Sequence, residues 1–341
     1  MAASIIEVSR VKLIRETDGL LVFAGALHPQ LTVGAIPFGG FLLSIILAAC
    51  EEAVKETPLH DAIHLTAYFL QACQVGPCEV HVKFLKKGKA FHNLEAVLIQ
   101  NGTTRITAHL IFGRLGPAFL DPATPGSVTT LTPATPLYRR TPICHPSETT
   151  TFDFRRGINI RDILKKGADS RFAERNKRKA NTPNAGTNPD MNGILEYGGY
   201  YQFVNPTDEL TQITIPIIAD LHRSTPELLK GIFTPPEGMF NWYPTMVLQI
   251  EFKHKIPKGP SYSRNMAAIY SQSRFIAEGR HDVSVEVWTA PPGAPGEPAD
   301  VVEDSWREKM VCVAVATQMS LSMTAEANLR RGRQVVDAPK L

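Results

Sequence analysis

The chain has 341 residues, of which 43% are hydrophobic and 20% charged, with a formal net charge of +3 and five cysteines. That length is comfortable for two domains, and the apolar content lets each build its own core, which excludes an intrinsically disordered class. A charge this near balance, with no aromatic-basic RNA motif and no zinc-finger spacing, argues against a nucleic-acid partner.

In chain order, the opening stretch MAASIIEVSRVKLIRETDG breaks its short apolar runs with Glu7, Arg10, Lys12, Arg15 and Glu16, against a secretory signal. Gly39 and Gly40 then free the chain to turn, and Phe41 to Lys55 is apolar on nearly every side before it becomes charged, so this predicted helix must be covered all round. Its longest apolar run, FLLSIILAAC, is about half a membrane span, so a buried helix is expected and no membrane crossing. Four strand-like runs follow: IHLTAYFLQA, CEVHVKFLK, FHNLEAVLIQ and RITAHLIFGR, with the hairpin pair Asn101-Gly102 between the last two. A long helix followed by an antiparallel sheet suggests a sheet wrapped around a helix.

From Pro117 to Thr151 the chain is crowded with Pro, Thr and Ser and reads as a linker, and RFAERNKRKANTPNAGTNPDMNG reads as an exposed basic loop. DELTQITIPIIADLHRS is the second predicted helix, with Thr207 or Asp208 to cap it and Pro216 to kink it or reset its start. YPTMVLQIEFKHK, NMAAIYSQSRFIAEG, HDVSVEVWTA and KMVCVAVATQMSLSM are strand-like, so helix-then-four-strands occurs twice. In this repeat Thr66 corresponds to Thr245 and His109 to Gln318. The expected division is 1–116, a linker at 117–150, a second unit at 151–326 and a tail at 327–341.

The five scattered cysteines lack the second pair that a zinc site needs, so reduced thiols in a cytoplasmic protein are expected. The terminal Pro339-Lys340-Leu341 approximates the S-K-L peroxisomal address, with proline in place of the small residue, and makes peroxisomal import the alternative.

The doubled order of helix and sheet resembles the double hotdog fold of the type II acyl-CoA thioesterases and their thioesterase-like relatives, which are common in fungi. The Pro37 to Gly40 turn before the first helix carries the resemblance in the first half; IIADLHR, WYPTMVLQIEFKH and CVAVATQMSLS carry it in the second. It implies an α+β double hotdog, two antiparallel sheets each wrapped around a long helix, acting on an acyl thioester carried by CoA or an acyl carrier protein in lipid or secondary metabolism. It implies no cofactor and no metal, and by analogy a homo-oligomer. Matched motif by motif, it places the family's water-orienting Asp, Thr and Gln at Asp220, Thr245 and Gln318.

The chemistry is coherent with that assignment. Thioester hydrolysis needs an activated water and a stabilised oxyanion. A carboxylate on an apolar helix is desolvated and becomes a better base, while hydroxyl and amide groups hold a water without taking its proton. Gly39 and Gly40 would offer unpaired N–H groups at a helix start to an acyl carbonyl, completing a site with Asp220 across the two halves. Read alone, Asp220 is an ordinary surface carboxylate, Thr245 a routine strand residue, Gly39-Gly40 a tight turn and His109 a core histidine that could touch ligand. Gln318 says more, because Cys312, Ala314, Ala316 and Ser320 on its strand face are small and leave it room to reach inward.

No G-x-S-x-G elbow, P-loop, G-x-G-x-x-G or H-E-x-x-H motif occurs. Two rivals keep the fold. One is a lyase or dehydratase acting on a polyketide-type metabolite, drawing on His64, His92 or His109; the other is a non-catalytic acyl-binding protein.

Overall fold

The computed structural model describes residues 2–116, 135–154, 158–181, 193–229, 241–299 and 302–333. The first half opens with a one-turn helix α1 (Ile5–Val8) and strands β1 (Lys12–Thr17) and β2 (Leu20–Leu27). The long helix α2 (Gly39–Val54) and strands β3 (Asp61–Phe69), β4 (Gly76–Lys87), β5 (His92–Gln100) and β6 (Thr103–Gly113) complete it. The second half repeats the order with β7 (Leu164–Ala168), helix α3 (Ser170–Asn181), β8 (Leu195–Phe203) and the short helices α4 (Ile215–Ala219) and α5 (Thr225–Leu229). Strands β9 (Thr245–Phe252), β10 (Met266–Ser273), β11 (Arg280–Thr289) and β12 (Cys312–Leu321) and helix α6 (Ala325–Arg333) follow.

The repeat is therefore two strands, a helix and four strands, longer by two strands than the sequence alone indicates. β1 (KLIRET) was hidden by its charged residues, β2 (LLVFAGAL) by an apolar run that does not alternate, and β8 (LEYGGYYQF) by its glycines and its place beside the basic segment. Left-handed Asp18 (φ 49°) and Gly19 (φ 76°) close the β1–β2 hairpin, as Asn101 (φ 54°) and Gly102 (φ 69°) close β5–β6.

The two expected antiparallel sheets are joined edge to edge, and among the described residues two small two-stranded sheets lie apart from them. The labelled strands run in the order β1-β2-β4-β5-β6-β3-β9-β12-β11-β10-β8-β7, and with two two-residue strands they make a 14-stranded sheet. The seam is the antiparallel pair β3–β9, with Leu248 opposite Ala67 and Ile250 opposite Leu65. This is an α+β double hotdog in which the two units share a continuous sheet.

Helix α2 is buried as its sequence requires: Phe41, Leu42, Leu43, Ile45, Ile46 and Leu47 are all within 3% of full burial. Each such side chain is worth about 1.5–3 kcal/mol relative to exposure. The second helix differs from expectation. Pro216 stands in its first turn and sets its start, so α4 is only five residues long. Asp208 does not cap it. Its carboxylate accepts from Ser4 Oγ (2.6 Å), Ile5 N (2.9 Å) and Ile6 N (3.2 Å), anchoring α1 of the first half to the second. Part of the predicted basic loop is helix α3. The expected boundary at residue 326 falls inside α6, which is held to the first half by Asn328 Nδ2 donating to Val33 O (3.1 Å).

The cysteines among the described residues are unpaired. No described helix is long and apolar enough to cross a membrane. Pro339-Lys340-Leu341 and most of the predicted linker, residues 117–134, lie outside the described residues.

Candidate active site

The site forms where the two central helices meet. α4 ends at Asp220, its C-cap, and α2 starts at Gly39, so the carboxylate of one half faces the N-terminus of the other half's helix. Asp220 Oδ2 accepts from Gly40 N–H at 2.7 Å. The aligned peptide dipoles of a 16-residue helix favour a negative charge there. Asp220 Oδ1 accepts from Gln318 Nε2 at 2.6 Å, and the same nitrogen lies 2.5 Å from Thr245 Oγ1. Burial nevertheless dominates: it pushes the Asp220 carboxyl up to about 7, against the bonds from Gly40, Gln318 and Thr245, which hold it down.

Gln318 is 6% exposed and turns into the site from β12. The carboxylate fixes the orientation of its amide, since a carbonyl oxygen facing an ionised Asp220 would be repelled. Its Oε1 is consequently buried without a hydrogen-bond partner. Thr245 arrives by a different route. Along β9 the even-numbered residues Leu248, Ile250 and Phe252 face inward, and regular alternation would turn Thr245 out. The β-bulge between Thr245 and Val247 restores the inward direction and sets Thr245 opposite Ser320.

Gly40 belongs to the site through space as well as through its N–H. A Cβ there would lie 2.4 Å from Pro216 O and 2.8 Å from Ile217 Cα, so glycine is what lets α2 and α4 touch. A Cβ on Gly39 would come within 2.9 Å of Asp220 Oδ2 and 3.5 Å of Thr245 Oγ1. The expectation that both glycines offer free N–H groups to a carbonyl is corrected, because Gly40 spends its N–H on Asp220.

His109 is also corrected. It is exposed, opposite Glu95 and Thr66 in the sheet, away from the helices. The row across the seam that contains Gln318 runs through Leu248 and Ala67 to Ala108, one position earlier on β6. Strand side chains alternate, so one position decides between site and outer surface.

Asp220, Thr245, Gln318 and Gly39 line a cavity of about 220 Å³. Its apolar wall includes Ile36, Phe38, Leu42, Phe69 and Trp242, and Arg331 of α6 lies at its edge. His64, His92 and His109 are not among its lining residues. Sequence reasoning missed His222 and Ser224, which do line it. The available signal was their place in ADLHRS, polar residues following a five-residue apolar helix that ends at Asp220.

Residues 27–113 match the acyl-CoA thioesterase N-terminal domain family. No curated protein matches the chain in sequence. Among solved structures, a protein of Thermobifida fusca assigned as thioesterase II is 17% identical with a TM-score of 0.64, over 94% of this chain and 98% of that one. A hotdog-fold protein of unknown function from Alicyclobacillus acidocaldarius is 13% identical (TM-score 0.62, covering 94% and 98%). An acyl-CoA thioesterase II of Mycobacterium marinum is 12% identical (TM-score 0.59, covering 94% and 97%). The chain is thus a double hotdog protein, and its residues 27–113 match the acyl-CoA thioesterase N-terminal domain family.

Proposed function

We propose that the protein hydrolyses acyl thioesters carried on CoA or an acyl carrier protein, using a water held by Asp220, Thr245 and Gln318. The observation that carries this reading is the group itself: a buried carboxyl raised to about 7, bonded to an amide and beside a hydroxyl, at the start of a long helix. Asp220 takes a proton from the water as its oxygen attacks the thioester carbonyl carbon. The partnerless Gln318 Oε1 accepts the water's other hydrogen. Gly39 N–H, which helix geometry leaves without an intrahelical acceptor, faces the developing oxyanion. Collapse breaks the C–S bond, and the departing thiolate takes the proton back from Asp220, giving acid and free thiol.

The lyase reading draws less support. The three histidines it relied on are off the cavity, and His222, which lines it, is pushed down by burial to about 4 and is a weak base. Free-thiol release from acyl-CoA by the wild type and by Gln318→Leu tests the proposal. Losing one hydrogen bond to a charged group costs about 1.5–3 kcal/mol, so a fall of about tenfold to a hundredfold is expected. Equal turnover by both proteins would remove Gln318 from the mechanism.

A further inference from the structure

Beyond the water-holding group, the cavity contains a second polar pair. The His222 ring lines it, and its Nδ1 lies 3.2 Å from Ala219 O, the last helical residue of α4. A backbone carbonyl only accepts, so Nδ1 carries the hydrogen and Nε2 is left as a bare acceptor. Burial, with His281 close by, keeps the ring neutral near pH 7. Two residues on, Ser224 also lines the cavity; it is 6% exposed and its Oγ has no hydrogen-bond partner. His281, a neighbour of His222, is 3% exposed and stands edge-on to Tyr243 at 5.6 Å with neither ring nitrogen hydrogen-bonded.

A buried polar atom left unpaired costs about 1–3 kcal/mol, so the unpaired Ser224 Oγ beside the bare acceptor of His222 in a mostly apolar cavity marks a place where a ligand supplies the partners. The chemistry of the pair narrows that ligand. His222 Nε2 needs a donor, and Ser224 Oγ can give its hydrogen to an acceptor. A hydroxyl group is both at one atom. A ketone cannot donate to Nε2, and an alkyl chain satisfies neither. We propose that His222 and Ser224 form a subsite for a hydroxyl on the acyl group, so that hydroxyacyl thioesters are the preferred substrates. This rests on the thioester reading above.

The test uses the full-length protein, His222→Asn and Ser224→Ala. Asparagine keeps an N–H for Ala219 O and removes the Nε2 acceptor; alanine removes one oxygen atom. Two ratios are measured between hydroxylated and plain chains of equal length, with the hydroxyl walked along the chain. One is the kcat/KM ratio for acyl-CoA thioesters, and the other is the Kd ratio for non-hydrolysable S-alkyl-CoA thioethers. The wild type is expected to favour the hydroxylated ligand by about tenfold or more at one position, and each variant to bring that ratio near one. A wild-type ratio near one at every position overturns the proposal, as does a preference that survives in both variants. Equal weakening of hydroxylated and plain ligands also overturns it, by assigning the pair to an amide of the pantetheine arm. A thioether preference without thioester hydrolysis would retain the subsite and reject the thioesterase reading; hydrolysis without preference would do the reverse.

Discussion

Asp220 is held between opposed forces. Burial favours its neutral acid, while Gly40 N–H and Gln318 Nε2 favour the carboxylate, and the balance falls at about 7. Only the carboxylate can accept a proton from water, so kcat/KM is expected to rise with pH and level off above about 7. A profile flat from pH 5 to 8 would deny Asp220 that role. Stability carries the opposite sign. The folded state holds this proton more tightly than the unfolded chain, so the contribution is full below the unfolded value, about 3.9, and is lost as pH rises through about 7. At this scale the sequence was partly legible. Gln318 showed itself through its small neighbours, whereas a bulge turns Thr245 inward, and no residue type announces a bulge. His109 was misread because an offset between repeats fixes a strand but not a face.

Between elements, the decisive contact is the crossing of α2 and α4. Gly40→Ala would drive a methyl into the Pro216 carbonyl. Overpacking of this kind costs about 1–3 kcal/mol, and here it also pushes α4 and its C-cap Asp220 away from the start of α2. The expected result is a lower Tm together with a fall in kcat/KM of about tenfold or more, read by thermal melting and thiol release; unchanged values of both would show that the helices can part without consequence. The length of α2 was legible because a helix that is apolar all round must be buried and continuous. The shortness of α4 was only hinted at by Pro216, which suits the first turn of a short helix as well as a kink within a longer one. β7 and β8 were not legible, because they pair with strands far away in sequence and their own pattern does not alternate cleanly.

Across the whole molecule, the continuous sheet turns two repeats into one site. The β3–β9 seam fixes the two halves side by side, and Asp208 ties the N-terminal turn to the second half. The repeat does not duplicate the site at the start of α4. There Pro216 has no N–H to offer, and Ser44 Oγ donates to Ile213 O at 2.6 Å where the other junction places a carboxylate. Double hotdog architecture was legible as a repeat of order, but the β3–β9 seam was not, because no local pattern specifies which strand edges meet. The central claim is that this junction hydrolyses acyl thioesters with Asp220 as the base. Its most direct test is kcat/KM for thiol release from acyl-CoA by the wild type and Asp220→Asn at pH 8, with Tm confirming that both are folded. Loss of general-base catalysis predicts a drop of about a hundredfold or more in the variant. A folded variant that works within a few-fold of the wild type would contradict the account.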